Sequence, residues 1–297
     1  MRRNSKEIMK TENHKTGLIV GLFPEQYQIA DLRLNKPVCY QKIEDGKMAG
    51  SMLLQDLNTA EIEKGKEVIY FCPNNIAVLM SISSKSLDKA RELYKFFHSQ
   101  SVEFRVENIE GDKRTFLNRV SSTVCDYVEY VQTAVVFAYT ALETFANLSI
   151  PEEYVYQIEN QAKGIAEIYD KRAIERWLSL KIKIQHILRE IYCTKKIESQ
   201  KWWAHFLNLE KYRNEIIHQK TINSTSFYKE YFKTAVFQSC ECPLLVIKFF
   251  YEAHAENNRT NPIWPWLVND KNYFPVSHQY DSSNFEVIGN VYEGIKK

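Results

Sequence analysis

The segment Thr115–Asn147, TFLNRVSSTVCDYVEYVQTAVVFAYTALETFAN, decides the fold class of the chain. It contains no Gly and no Pro, and its apolar residues return every three or four positions: Phe116, Val120, Val124, Tyr127, Val131, Val135, Ala138, Leu142 and Phe145. Such a period is typical of amphipathic α-helices, and the residue before a proline rarely continues a helix. The segment therefore predicts one or two long helices that end before Pro151.

The region that follows this segment predicts more helices. Four further runs have helical character: Glu152–Tyr169, Lys171–Tyr192, Gln200–His218 and Pro243–Glu256, the last with its proline at a helix start. Because the connections are short, residues 111–257 are expected to form an all-α antiparallel helical bundle. In the tail, residues 258–297, Trp264 and Trp266 are expected to pin the chain onto that bundle.

Residues 1–110 have a different character and predict a small α+β module of unassigned role. Short apolar runs bounded by turn residues predict strands at Gly17–Phe23, Val68–Phe71, Ile76–Ile82 and Val102–Val106. A helix is predicted over Ser84–Ser99, and Glu107–Lys113 is the expected domain boundary. The fold class is therefore α+β overall, with this N-terminal domain followed by the helical bundle.

The composition excludes several classes of protein. The chain has 297 residues, of which 44% are hydrophobic and 26% are charged, which excludes a disordered, collagen-like or rod-shaped chain. No apolar run approaches the roughly 20 residues of a membrane helix, and Met1–Lys15 lacks the apolar core of a signal peptide. The six scattered cysteines predict reduced thiols in a cytoplasmic protein. Since Cys240 and Cys242 have no second ligand pair at zinc spacing, no metal is expected there. The sequence also has no Gly-rich phosphate-binding loop, and no cofactor is expected.

Positive charge is concentrated in one part of the chain. The formal net charge is only +2, yet Asp170–Lys220 contains 12 Lys and Arg against 6 Asp and Glu. A local basic region suits a polyanion such as RNA, and it is also found on solvated helix faces. Both interpretations remain open on charge alone.

Within the predicted helix Gln200–His218, one cation falls on the apolar face. On a helical wheel, Arg213 lies within about 20° of Phe206, inside an apolar stripe. A guanidinium does not lose its charge, so an inward position requires a carboxylate, carbonyl groups or an anionic ligand. His218 lies about 140° around the helix from Arg213, whereas Asn214 shares the histidine's face and could orient its imidazole.

An arginine and an imidazole that titrates near neutrality can together cleave a phosphodiester without a metal, the first holding phosphate oxygens and the second moving a proton. The loose spacing alone is weak evidence, because Arg91 and His98 also satisfy it. The asparagine directly after Arg213 makes the match at Arg213 and His218 more specific than the one at Arg91 and His98. The structural alternative is an ion pair between Arg213 and an acid of a neighbouring helix, with His218 as an ordinary helix-end histidine.

At Arg213-Asn214-Glu215-Ile216-Ile217-His218 the sequence resembles the HEPN superfamily (higher eukaryotes and prokaryotes nucleotide-binding domains). The segment Ala141–Asn147 is similar to an early HEPN helix, in which an acidic residue, here Glu143, faces the site. The resemblance covers about Gly111–Asn257. It implies a helical bundle, metal-independent endoribonuclease activity, and a homodimer in which two Arg/His sets face each other across one cleft.

The resemblance also implies roles for particular residues. The ribose 2′-hydroxyl attacks the adjacent phosphate, with Arg213 as phosphate clamp, His218 as general acid or base and Asn214 as a positioning residue; Glu143 either joins them or neutralises Arg213. From the basic character of this region, Lys181, Lys183 and Lys211 are expected to contact RNA, although a solvated lysine is the commoner interpretation of such residues. Trp202 and Trp203 could stack bases, but aromatic residues of a helix usually belong to the core, which is the prediction for Trp202.

By analogy with the family, the expected function is that of a cytoplasmic toxin-like or anti-phage defence ribonuclease. RNA and a second copy are the expected partners, with an inhibitor or sensor protein as a further one and no membrane. The alternative is a non-catalytic HEPN-like module that binds RNA, a nucleotide or a protein. A purely structural interaction protein is the third hypothesis.

Overall fold

The computed structural model describes residues 15–22, 31–34, 37–45, 47–100, 104–160, 165–218, 226–256, 276–277 and 285–290. It has an α+β architecture. The elements in chain order are β1 (Lys15–Gly21), β2 (Pro37–Glu44), β3 (Lys47–Glu63), β4 (Lys66–Phe71), α1 (Asn75–Ser99), α2 (Lys113–Ser149), β5 (Tyr156–Asn160), β6 (Ile165–Tyr169), α3 (Lys171–Trp177), α4 (Leu180–Ile182), a π-helical segment (Lys183–Leu188), α5 (Arg189–Ile191), α6 (Trp203–Ile217), α7 (Ala235–Glu256), β7 (Val276–Ser277) and β8 (Phe285–Asn290). Short 3-10 segments include Ser226–Phe232, before α7.

The chain divides into two compact units. One is the continuous stretch Ile76–Ala253, and the other combines the residues before Ile76 with those after Ala253. We call them the helical unit and the sheet unit. The predicted boundary near residue 110 differs from this division, because α1 groups with the helices that follow it.

The sheet unit is a six-stranded sheet in the order β7-β2-β3-β1-β8, with β4 also paired to β3. The pairs β1–β8 and β2–β7 are parallel, and the pairs that β3 makes are antiparallel. Its fully buried apolar residues are Cys39, Leu53 and Leu54. Gly17 is required by packing, since a Cβ atom there would lie 2.9 Å from Leu54 Cδ1.

The helical unit is built on α2, the long helix that the apolar period predicts. Asp112 caps its N-terminus by accepting a hydrogen bond from the backbone N–H of Arg114 at 3.0 Å. The C-terminal two-thirds of the predicted apolar stripe is buried, at Tyr127, Val131, Val135, Ala138, Leu142 and Phe145. This face of α2 packs on α6 and on the π-helical segment.

Two of the local predictions have the wrong element type. Ile76–Ile82, predicted as a strand, is the first part of α1. Glu152–Tyr169, predicted as a helix, contains the antiparallel hairpin of β5 and β6, in which Tyr156 pairs with Tyr169. Pro243 stands inside α7 and not at its start. Of Val102–Val106, the described residues contain no strand, and residues 101–103 lie outside the description.

The described parts of the C-terminal tail belong to the sheet. β7 pairs with β2 and β8 pairs with β1, where the sequence predicted a tail packed on the bundle. Trp264 and Trp266, expected to hold that tail, lie outside the described residues. No helix in the described ranges is long and apolar enough to cross a membrane.

Tyr127 should contribute strongly to the stability of the helical unit. Its side chain is fully buried, its hydroxyl donates a hydrogen bond to the backbone oxygen of Tyr231 at 2.5 Å, and its ring packs on Phe232. We expect Tyr127→Phe to lower the free energy of unfolding by about 1–3 kcal/mol, because a buried carbonyl loses its donor. Tyr127→Ala should cost about 3–5 kcal/mol because it also leaves a cavity.

Urea unfolding measures both values. Tyr130→Phe is the matched control, since this tyrosine lies one helical turn away and is 38% exposed; it should change stability by less than about 0.5 kcal/mol. Equal stability of the Tyr127→Phe variant and the unsubstituted protein would contradict the packing described here.

Candidate functional site

Helix α6 carries most of the candidate residues. It buries Phe206 and Leu209, which belong to the predicted apolar stripe, and also Tyr212, which lies beside the stripe; Ile217, predicted to be part of the stripe, is 50% exposed. The helix ends at His218, the C-cap residue, whose backbone N–H still donates to the oxygen of Asn214 at 2.9 Å. The His218 side chain is exposed.

Arg213 lies half-buried between α6 and α2. Its guanidinium carbon is 5.0 Å from the ring centroid of Tyr139, a buried residue of α2. Its Nη1 donates a hydrogen bond to Oδ1 of the neighbouring Asn214 at 3.1 Å. Among the described residues it forms no ion pair with an Asp or Glu and no second hydrogen bond. The positive charge is therefore held by an aromatic ring and an amide, which leaves most of its N–H groups for a ligand.

Two half-buried carboxyl groups belong to the surroundings of Arg213. Glu143 lies one helical turn beyond Tyr139 on α2, and Glu210 lies one turn before Arg213 on α6. Burial raises the pKa of Glu210, while the interactions of its carboxylate with Lys181 and with the charge of Arg213 act in the opposite direction. Burial and the negative charges of Glu210 and Glu143 raise the pKa of Tyr139, and Arg213 lowers it.

Glu210 is not among the site residues predicted from the sequence. Its spacing of three residues before Arg213 puts the two side chains on the same face of α6, and that spacing could have identified it.

His218 is not brought to the same face as Arg213 within one chain. It lies five residues further along, about 7.5 Å in helix rise, at the exposed end of α6. The Asn214 amide bonds to Arg213, where the sequence predicted that it orients the imidazole. No hydrogen bond joins the Asn214 and His218 side chains in the described structure.

The three lysines predicted to contact RNA lie in different environments. Lys181 and Lys211 are exposed, and Lys211 Nζ is 4.0 Å from Glu215 Oε1. Lys183 is fully buried in the π-helical segment, so its ammonium is not accessible to RNA in this structure. Its Nζ donates to Asn147 Oδ1 at 2.9 Å and to the backbone oxygen of Glu175 at 3.1 Å. These two hydrogen bonds take the place of the water that would surround the ammonium on an exposed helix face.

The three described tryptophans differ in burial. Trp202 is 6% exposed and packs on Phe249, in agreement with its predicted place in the core. Trp203 is half-buried against Phe206. Trp177, at the end of α3, is 68% exposed, and nothing in the sequence analysis had singled it out.

The second match to the Arg…His spacing has a structural explanation. Arg91 Nη2 lies 2.5 Å from Glu241 Oε1, and Nη1 lies 3.8 Å from Asp88 Oδ1. His98 stands exposed in the last turn of α1. Arg91 therefore has the ion-paired acids that the structural alternative requires. Arg213 forms no ion pair among the described residues, although its charge acts on the nearby Glu210.

Within the described ranges, no three His, Cys, Asp or Glu side chains form a cluster that could hold a metal ion. Cys240 and Cys242 are buried in α7, and burial raises the pKa of both thiols.

Comparison with known proteins gave no match to any protein-family model, any curated protein or any solved structure. The resemblance to HEPN domains therefore rests on the Arg213–His218 motif and the Ala141–Asn147 segment of the chain itself.

Proposed function

We propose that the chain is a metal-independent endoribonuclease of the HEPN type, with Arg213 at the centre of its active site. The observation that supports this function is the half-buried guanidinium of Arg213, held by the Tyr139 ring and Asn214 without an ion-paired acid in the described structure. Its remaining N–H groups suit two oxygens of a phosphodiester, which an arginine binds in a fork geometry.

The reaction proceeds by attack of the ribose 2′-oxygen on the adjacent phosphorus. A general base accepts the 2′-hydroxyl proton as the new P–O bond forms, and a general acid gives a proton to the 5′-oxygen as the old P–O bond breaks. The products are a 2′,3′-cyclic phosphate and a 5′-hydroxyl. Arg213 stabilises the charge that develops on the phosphate oxygens, His218 transfers a proton, and Asn214 positions the guanidinium.

A homodimer explains how Arg213 and His218 act together although they occupy different faces of α6. In a composite site, the exposed histidine of a second copy approaches the arginine of the first. By analogy with the family it resembles, we also propose that the protein is a toxin or an anti-phage defence effector, with an inhibitor or sensor protein as a further partner.

The test is incubation of the full chain with RNA in excess EDTA, followed by analysis of the RNA ends. We expect cleavage that leaves 2′,3′-cyclic phosphates, and a loss of about 10²- to 10⁴-fold in rate for His218→Ala. His98→Ala is the matched control, because this histidine is also exposed at a helix end. Equal rates for His218→Ala and His98→Ala, or activity that EDTA abolishes, would exclude the proposed chemistry.

A non-catalytic RNA- or nucleotide-binding module is the second candidate. It is favoured by one observation, the Asn214 hydrogen bond to Arg213 and not to His218, which builds an anion site without the histidine. That candidate predicts binding without cleavage, and affinity that depends on Arg213 but not on His218.

A further inference from the structure

Trp177 ends α3 with an unusually exposed ring. The residue is 68% exposed, whereas Trp202 is 6% exposed, although indole is among the largest apolar side chains. Helix α3 stops directly after it, where the backbone N–H of the C-cap residue Leu178 donates to Ile174 oxygen at 3.2 Å. The ring is thus held at the end of an ordered helix and directed away from the core.

A guanidinium accompanies this ring. The Arg176 guanidinium carbon lies 4.9 Å from the Trp177 ring centroid, within the range of a cation–π contact. Arg176 is also exposed. Indole rings and arginine planes are among the surfaces on which proteins stack unpaired nucleic-acid bases.

The charge around Trp177 suits a polyanion. Between residues 171 and 181 the chain has four basic residues and one acidic residue: Lys171, Arg172, Arg176 and Lys181 against Glu175. Arg172, Arg176 and Lys181 are exposed. Phosphates that flank a base stacked on Trp177 would therefore meet positive charge.

A short and well-anchored segment connects Trp177 to the Arg213 site. Ser179 caps α4 by accepting a hydrogen bond from Ile182 N at 3.3 Å, and the positive charge of Lys181, in the same short helix, acts on the Glu210 carboxylate. Glu210 precedes Arg213 by one turn of α6. Because Trp177 and Lys181 are four residues apart, their Cα atoms are separated by at most about 14 Å, the length of a few nucleotides.

We propose that Trp177, together with Arg176, forms a stacking platform for an unpaired base of the RNA whose phosphate Arg213 holds. The substrate class is therefore single-stranded RNA, since the bases of a duplex are stacked on one another and do not reach an aromatic side chain. This inference rests on the proposed function, because it places the platform beside the Arg213 phosphate site.

The same exposed ring could instead be part of a protein interface. Ile168 on β6 is 69% exposed, so exposed apolar surface is not confined to Trp177. Tryptophan and arginine are both enriched in protein interfaces. Residues 171–181, however, carry four basic residues against one acidic residue, and the exposed cations are Arg172 and Arg176 on α3 and Lys181 on α4, a balance that suits a polyanion. The observations favour RNA, and a change of oligomeric state becomes an outcome of the test.

The test measures binding by fluorescence anisotropy in EDTA, with a labelled 12-nucleotide 2′-O-methyl RNA that cannot be cleaved because it has no free 2′-hydroxyl. We expect Trp177→Ala to weaken binding of the single strand about 5- to 100-fold, the usual effect of losing one stacked base. Trp177→Phe should retain most of the affinity. Ile168→Ala is the matched control, and it should leave the affinity unchanged.

Equal affinity of Trp177→Ala and the unsubstituted chain would overturn the platform, as would an equal loss in binding of the same RNA as a duplex. A change from dimer to monomer for Trp177→Ala in light scattering would assign the ring to a protein interface.

Cleavage assays run in parallel distinguish failure of the stacking platform from failure of the proposed nuclease function. If His218-dependent cleavage persists while Trp177→Ala binds normally, only the platform fails; if Trp177-dependent binding occurs without cleavage, only the nuclease function fails.

Discussion

Replacing Arg213 by alanine should reduce RNA cleavage by at least about 100-fold. Removal of one preorganised donor from a charge-stabilising site typically costs 10²- to 10³-fold in rate, and Arg213 supplies several donors as well as a full charge. Folding should be little affected, because this guanidinium has no ion pair among the described residues and its hydrogen bond is made to the adjacent Asn214. Single-turnover cleavage of RNA in EDTA measures the effect.

Arg91→Ala provides the matched control for Arg213→Ala. Arg91 satisfies the same loose spacing to a histidine, but its charge is paired with Glu241 and Asp88. Since partly exposed ion pairs contribute about 0–1 kcal/mol to stability, this variant should fold and cleave RNA within about twofold of the unsubstituted protein. If cleavage persists in Arg213→Ala but is lost in Arg91→Ala, the active site lies on α1 and not on α6.

Replacing Lys183 by alanine should lower the free energy of unfolding by about 3–5 kcal/mol. The side chain is fully buried, so its loss leaves a cavity and removes the donor from Asn147 Oδ1 and from the backbone oxygen of Glu175. Lys183→Met should cost about half as much, because methionine fills the space and needs no solvation of a charge. Urea unfolding of the two variants distinguishes lost volume from lost hydrogen bonds.

The stability of the unsubstituted protein and that of Lys183→Met should depend differently on pH. Burial lowers the pKa of Lys183 from its ordinary value of 10.5, while Glu143 and Glu175 act in the opposite direction. Between the lowered folded-state pKa and about 10.5, the unfolded chain holds more protons, so stability rises with pH. The unsubstituted protein should therefore gain stability relative to Lys183→Met as the pH rises toward 10.5. A constant or shrinking difference would show that the ammonium is solvated.

Helix α2 could be predicted from the sequence because its apolar period persists over many turns. The hairpin of β5 and β6 could not, since the residues of Glu152–Tyr169 are few and rich in both helix-forming and β-branched types. Short apolar runs do not distinguish a strand from a buried helix, and Ile76–Ile82 illustrates this ambiguity. The tail strands were missed for another reason: Phe285 pairs with Lys15, and nothing local encodes such a distant partner.

The candidate site was predictable where its residues share one helix. Arg213 and Asn214 lie on α6, so a wheel indicates that the arginine turns toward the apolar side. The burial of Lys183 was not predictable, because its partner Asn147 lies 36 positions earlier on another helix. Likewise, the exposure of Trp177 follows from where α3 ends, which depends on the capping hydrogen bonds of the folded chain.

The pairing of β1 with β8 has a consequence for the synthesis of the protein. All residues of the helical unit are contiguous, so a nascent chain that has emerged from the ribosome past Ala253 already contains every side chain described around Arg213. The sheet unit at that moment still lacks the strand that will lie beside Lys15–Gly21. We therefore expect the Arg213 site to form during translation, before β8 pairs with β1.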